Sequence, residues 1–146
     1  MKISFDFDNT LTQQIVSRCP ETGDIVSDTI IPNLAVVNIM REFGTGGHEI
    51  FIITSRMMRD ESVEEVNAFL WASGFAHLIG NVFFTNFEPK KETIEGLGID
   101  MHFDDDEEEF KGLNILTVKV PLHESWRIVA NNGCNRGCDL DLPTVR

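Results

Sequence analysis

Lys2–Thr12 reads KISFDFDNTLT, an apolar run that ends in two carboxylates one residue apart. The alternating isoleucine and phenylalanines favour a β-strand, because the run is too short for a helix. Asp6 and Asp8 are therefore predicted at the carboxyl end of a strand, which is where open α/β sheets bind ligands. Acids this close repel each other, and an oxygen-seeking cation such as Mg²⁺ relieves the repulsion. A bare DxD is more often a solvated turn, so its interpretation depends on the rest of the chain.

A second apolar run, HEIFIITSR at 48–56, predicts another strand. Its four successive apolar residues are typical of a parallel strand covered by helices on both faces. The run ends in Thr54 and Ser55, and a hydroxyl with free backbone N–H groups can bind a phosphoryl oxygen without adding charge. Threonine here is commonly only a strand terminus. Arg56 is either a substrate contact or, more commonly for such a residue, a surface arginine.

A lysine pair and an acidic strand end follow in the second half of the chain. The segment 89–98, PKKETIEGLG, predicts a short helix that begins with two lysines, where the helix dipole disfavours cations. A lysine held there beside carboxylates could balance a bound phosphate, although two surface lysines would look the same. The segment 99–106, IDMHFDDD, predicts a strand that runs into acids.

Taken in order, these segments resemble the four motifs of the haloacid dehalogenase superfamily of phosphohydrolases. The family pattern is DxDxT after an apolar strand, an apolar strand ending in Thr or Ser, a lysine before a helix, and an apolar strand ending in DD. The resemblance covers about residues 2–106. It implies that the first strand lies at the centre of the sheet, with the second and fourth strands on either side.

The resemblance implies catalytic roles for Asp6, Asp8, Thr54 and Lys90. Asp6 would attack phosphorus, and Asp8 would protonate the leaving oxygen and then activate water. Thr54 and Lys90 would stabilise charge on the phosphoryl oxygens. Lys90 is preferred over Lys91 because the family often places the lysine directly after proline. The implied substrate-binding residues are Thr54, Ser55, Lys90 and Asn9.

The resemblance also implies a Mg²⁺ site. Its ligands would be Asp6, the backbone carbonyl of Asp8 and Asp105, while Asp104 would orient the metal shell. Asp106 is an acid that the family pattern does not assign. The remainder of the acidic run, at 107–109, is expected to be a solvated face or a helix start.

The other segments complete an α/β fold, predicted as a three-layer Rossmann-like domain with a central parallel sheet of about five strands. A small β-hairpin flap at 12–32 turns at Pro20 and Gly23 and would cover the carboxyl end of the sheet. Amphipathic spacing predicts helices at 33–43 and 60–74, and apolar runs predict strands at 81–86 and 114–120. Residues 123–130 are expected to form a short helix.

The length of 146 residues and 42% hydrophobic content predict a single domain over 1–146. Its motif-bearing core spans about 2–120, and the segment 121–146 has no assigned role. No interval between motifs can hold a large cap domain, so the site is expected to be open. The hairpin, another subunit of a homo-oligomer or the substrate itself would cover it.

Composition also restricts the partners. No run is long enough for a membrane span, and the N-terminus lacks a secretory signal, so a cytoplasmic location is expected. Three cysteines make no disulfide framework, and a zinc site at Cys134 and Cys138 is disfavoured without a second pair. The formal net charge of −12 argues against extended contact with nucleic acid.

The predicted function is a Mg²⁺-dependent phosphomonoesterase that acts through an aspartyl-phosphate intermediate. Candidate substrates are small phosphate esters, including nucleotides and sugar phosphates, and phosphorylated macromolecular ends, including those of nucleic acids. Asp8 favours a phosphatase over the halide-removing members, which resemble this chain in the nucleophile but lack the second aspartate. Two alternatives remain, which are a phosphotransferase of the same superfamily and a non-catalytic, metal-binding regulatory module.

Overall fold

The structure is a computed structural model that describes residues 1–121 and 127–128. The described residues belong to two compact units. The first contains residues 1–12 and 32–121, and the second contains residues 13–31 and 127–128. Within these ranges, no helix combines the length and the apolar character needed to cross a membrane.

The helices and strands alternate along most of the chain, as the sequence predicts. In chain order they are β1 (Lys2–Phe5), β2 (Thr12–Arg18), β3 (Ile25–Pro32), α1 (Leu34–Thr45), β4 (Glu49–Thr54), α2 (Asp60–Ser73), β5 (Ile79–Phe84), α3 (Lys91–Leu97), β6 (Met101–Asp104), β7 (Leu116–Lys119) and β8 (Arg127–Ile128). Short 3₁₀ turns lie at Ala76–Leu78 and Glu107–Phe110. The predicted boundaries differ from these by a few residues, as is usual at element ends.

The first unit is built on a parallel sheet of five strands in the order β5-β4-β1-β6-β7. This confirms the predicted α/β class, the parallel sheet and the central place of the first strand. In the middle of the sheet, Phe5 pairs with Ile52 on one side and Phe103 on the other. The carboxyl ends of these three strands therefore meet at one edge.

The two faces of the sheet bury different side chains. On β4, Ile50 and Ile52 belong to the larger core cluster, whereas Ile53 belongs to a smaller one. Successive residues of a strand point to opposite faces, so the two clusters lie on opposite sides of the sheet. Helices α1 and α2 contribute to the larger cluster, and α3 contributes Ile94 to the smaller. Helices therefore cover both faces, which explains the continuous apolar run in β4.

The second unit contains the predicted hairpin. Strands β2 and β3 are neighbours joined by a turn in which Cys19 N donates to Asp24 O at 2.8 Å and Gly23 N donates to Cys19 O at 2.8 Å. Gly23 adopts a φ of +80°, which glycine tolerates without steric cost. The hairpin and its turn are confirmed. Its proposed function as a flap stays a prediction.

The short helix predicted over 123–130 is wrong for its described residues. Arg127–Ile128 forms strand β8, which runs parallel to β2 with Ser17 opposite Arg127. Backbone pairing with a strand distant in sequence decides this conformation, and a local pattern cannot reveal it. The other residues of that predicted helix lie outside the described part of the chain, as do Cys134 and Cys138.

Cys19 is disulfide-bonded. The sequence predicted no disulfide framework, and a single bond is not a framework, but disulfides are uncommon in cytosolic proteins. The cytoplasmic location therefore stays a prediction.

Candidate active site

The chain reverses tightly directly after β1, so that Asp6 precedes the turn and Asp8 lies within it. Asp6 N still donates to Phe103 O at 2.9 Å, and the chain then turns through Phe7–Leu11. Within this turn Asn9 has a φ of +62°, a conformation that asparagine tolerates better than most residues. The Thr12 hydroxyl fixes the turn, because it accepts from Asn9 N at 3.0 Å and donates to Phe7 O at 3.2 Å.

Asp6 is buried against the ammonium group of Lys90. Lys90 Nζ lies 2.9 Å from Asp6 Oδ1 and 2.7 Å from Asp104 Oδ2. Burial raises the pKa of Asp6 well above its usual value; Lys90 opposes this shift and Asp104 adds to it. Burial disfavours the charge on Lys90, but the two carboxylates outweigh it and raise the lysine pKa. Lys90 is therefore a fixed positive charge between two acids.

Asp104 also contacts a histidine, through the same carboxylate oxygen that contacts Lys90. His102 Nε2 lies 2.9 Å from Asp104 Oδ2, and His102 Nδ1 lies 2.7 Å from Ser4 Oγ. Ser4, His102 and Asp104 are fully buried. Burial disfavours the charge on Asp104, but the bonds from His102 and Lys90 outweigh it and hold its pKa below the usual value. A neutral His102 that donates to Asp104 accepts from Ser4 at its other nitrogen.

Asp105 brings a third carboxylate to the cluster. The Thr10 hydroxyl lies 3.4 Å from both Asp6 Oδ2 and Asp105 Oδ1, and ligand oxygens of Asp6, Asp104 and Asp105 all lie within 4.8 Å of one another. Burial raises the pKa of Asp105, and the Asp104 charge adds to this shift.

The charges of this cluster fit a divalent cation. Three carboxylates against the one ammonium of Lys90 leave a formal charge of −2 when all are ionised. Carboxylate oxygens suit Mg²⁺, Ca²⁺ or Mn²⁺. The side chains of the predicted ligands Asp6 and Asp105 thus come together with that of Asp104, which was predicted to orient the metal shell. Asp8 was predicted to bind through its backbone carbonyl, and that assignment stays a prediction.

The Asp8 side chain points to a different partner, Arg56. Arg56 Nε and Nη2 each donate to one oxygen of Asp8 at 2.9 Å, while Nη1 donates to Glu65 Oε1 at 2.6 Å. The guanidinium also lies over the Phe7 ring, 5.2 Å from its centroid. The bonds to Asp8 and Glu65 outweigh burial and raise the pKa of Arg56. Asp6 and Asp8 therefore have different surroundings, although one residue separates them.

Thr54 and Ser55 occupy the same edge of the sheet. Since Phe5 pairs with Ile52, Asp6 continues opposite Ile53 and Thr54 follows directly. Thr54 is fully buried, and its hydroxyl accepts from Arg56 N at 3.3 Å. Ser55 is half-buried. The phosphate-binding roles of these two residues, and that of Asn9, stay predictions.

The two candidate lysines lie in very different surroundings. Lys90 is 2% exposed within the acid cluster, whereas Lys91 is exposed and pairs with Glu95 at 3.3 Å. Lys90 directly precedes α3, and its charge is balanced there because its Nζ contacts the carboxylates of Asp6 and Asp104. Its backbone N donates to Glu109 Oε1 at 3.0 Å, so Glu109 does more than form the solvated face expected of 107–109.

Sequence reasoning left several supporting residues without a role. Asp106 caps the 3₁₀ turn by accepting from Glu108 N at 3.0 Å, and its own N donates to Asp104 Oδ1 at 3.1 Å. Ser4 and His102 were overlooked, although a serine and a histidine between apolar strand residues indicate a buried polar contact. Burying such polar groups is costly unless they bond to one another.

No family model, curated protein or solved structure matches the chain. The haloacid dehalogenase resemblance therefore depends on the four sequence motifs. The functional argument depends on the geometry of the acid cluster.

Proposed function

We propose that the protein is a Mg²⁺-dependent phosphomonoesterase of the haloacid dehalogenase type. The observation that carries this proposal is the position of Asp6, a buried carboxylate at the end of the central strand, bound by Lys90 and close to Asp104 and Asp105. A nucleophile that attacks an anionic phosphate needs positive charge beside it. Lys90 is such a charge, and the acid cluster can bind a second.

Asp6 attacks phosphorus in line and forms an aspartyl phosphate as the bond to the leaving oxygen breaks. Asp8 donates its proton to that oxygen, and it then takes a proton from the water that hydrolyses the intermediate. Lys90 neutralises charge on the phosphoryl oxygens. Asp6, Asp105 and the Asp8 carbonyl would hold Mg²⁺, whose positive charge would reduce the repulsion between nucleophile and phosphate.

The different surroundings of Asp6 and Asp8 support this division of work. Asp6 is 5% exposed and contacts a lysine that also contacts Asp104, so its position is fixed. The Asp8 side chain is 42% exposed, so a leaving oxygen or a water molecule can reach it. Arg56 orients it through two hydrogen bonds. One carboxylate is thus suited to attack and the other to proton transfer.

The test is phosphate release from an aryl phosphate with and without Mg²⁺. Asp6→Asn should lower kcat by at least about a thousandfold, as expected when a nucleophile is lost. Asp24→Asn, an exposed acid in the hairpin turn, is the matched control and should have no effect. Transfer of the phosphoryl group to a competing alcohol would indicate a phosphotransferase instead. A folded protein that binds Mg²⁺ but releases no phosphate from any ester would contradict the proposal.

A further inference from the structure

An open pocket of about 300 Å³ lies beside the candidate active site. Its lining residues are Arg56, Met57, Arg59, Glu61, Ser62 and Phe87. Arg56 links the two places, because the guanidinium that binds Asp8 also belongs to this lining. We call this cavity the Phe87 pocket.

Phe87 is held in an unusual conformation. Asn86 and Phe87 have φ values of +55° and +67°, and a left-handed backbone is strained for a residue as bulky as phenylalanine. Hydrogen bonds to the segment after β4 hold it there: Phe87 N donates to Ser55 O at 2.7 Å, and Asn86 N donates to Arg56 O at 3.2 Å. Such strain persists only where the surroundings enforce it, and it is common at ligand-binding sites.

This strained segment exposes an aromatic ring. Phe87 is 72% exposed. Its backbone is nevertheless bonded to Ser55, the residue after Thr54. The ring therefore adds little to the core, but it is held a short distance from the predicted phosphate site.

The mechanism places the leaving group of the substrate on the same side. Asp8 must contact the leaving oxygen, so the rest of the leaving group has to extend past Asp8. Arg56 is bonded to Asp8 and lines the pocket, which makes this cavity the adjoining space. A leaving group that extends into this cavity would meet an aromatic face with charged and polar groups beside it.

We propose that the Phe87 pocket binds the nucleoside part of a nucleoside phosphate, with its base stacked on Phe87. The inference rests on the proposed function, since it assigns the leaving group of that reaction. Nucleobases stack on exposed aromatic rings and on arginine. Arg59 offers hydrogen-bond donors, Glu61 offers acceptors and Ser62 offers both, which suits the mixed edge of a base. A sugar phosphate has neither an aromatic face that could stack on Phe87 nor a base edge that could bond to these side chains.

Arg59 can take part without losing a strong interaction. Its Nη2 donates to Met57 Sδ at 3.2 Å, and a thioether is a weak acceptor. A carbonyl or ring nitrogen of a base would be a stronger one. The cavity volume lies at the small end of the range of ligand pockets, about 300–1,000 Å³, which fits one nucleoside.

The binding test uses the Asp6→Asn protein in Mg²⁺, so that no turnover intervenes. Calorimetry should show adenosine 5′-monophosphate binding about tenfold more tightly than ribose 5-phosphate. Phe87→Gly removes the ring and suits the positive φ, and it should remove this preference without changing ribose 5-phosphate binding. Phe87→Trp should keep the preference. Trp71→Ala removes another exposed aromatic, on α2, and should have no effect.

Equal affinity for the two ligands would overturn the proposal, as would an equal loss of both in Phe87→Gly. Wild-type turnover separates this failure from failure of the proposed function. If both esters are hydrolysed with equal kcat/KM, the pocket assignment fails and the phosphatase stands. If neither is hydrolysed but the nucleotide binds through Phe87, the assignment stands and the phosphatase fails.

A final comparison identifies the source of the nucleoside. Free nucleotide is the expected source, because the net charge of −12 repels a longer polyanion. A 5′-phosphorylated oligonucleotide should then bind more weakly than the mononucleotide, and increasingly so as salt is lowered. Tighter binding that still depends on Phe87 would keep the nucleoside assignment and identify a nucleic-acid end as the source.

Discussion

Replacing Lys90 by methionine should destabilise the protein far more than the same change at Lys91. Lys90 is 2% exposed and contacts carboxylates at 2.7 and 2.9 Å. Removing one partner of a buried ion pair costs about 3–5 kcal/mol, because the other charge stays buried. Asp104 would keep its bonds from His102 and Asp106 N. We therefore expect a loss of about 3 kcal/mol, at the lower end of that range.

The assay is urea unfolding of both variants in EDTA near neutral pH. Lys91 forms an exposed helical pair with Glu95, so Lys91→Met should cost at most about 0.5 kcal/mol. The Lys90→Met loss should shrink in Mg²⁺, which supplies positive charge. It should also shrink as the pH is lowered and Asp6 becomes protonated, which happens at a higher pH than for an ordinary aspartate because burial raises its pKa. Losses of similar size in the two variants would refute this account of the acid cluster.

Two further predictions concern pH. Without divalent cations, the stability of the folded protein should fall as pH rises through the raised pKa of Asp6, because the folded state favours the protonated carboxyl. The increase in Tm on adding Mg²⁺ should therefore grow with pH. This increase should disappear in the Asp6→Asn variant. His102→Phe removes a donor from Asp104, whose pKa is lowered, so acid unfolding should begin at higher pH than in the wild type, whereas His102→Gln should be milder; an unchanged acid midpoint would contradict this.

Much of the fold follows from local sequence patterns. The run at β4 is apolar on four successive residues, because helices cover both faces of the sheet. Strands β1 and β6 are also recognisable, since apolar residues flank one buried polar residue in each, Ser4 and His102. Their alternation with amphipathic helices then restricts the connections to a parallel sheet. Strand β8 escaped prediction because its conformation depends on pairing with β2, which is more than a hundred residues away.

The acid cluster was predictable for a similar reason. Asp6, Asp104 and Asp105 follow strands, and parallel strands bring their carboxyl ends to one edge. The partners of the acids were not predictable. Arg56 was expected to be a surface residue. Its hydrogen bonds to Asp8 depend on the turn at Asn9, which sets the direction of the Asp8 side chain. Side-chain partners that depend on such turns require coordinates.

The hydrogen bond between Ser4 and His102 has a consequence for the descent of this protein. A valine at position 4 alone would leave a histidine nitrogen without its partner, and a valine at position 102 alone would leave both Ser4 and Asp104 short of one. Replacing both residues together leaves no unpaired serine hydroxyl or histidine nitrogen, and Lys90 still binds Asp104. Among relatives, the residues at positions 4 and 102 should therefore covary: both should be retained or both replaced.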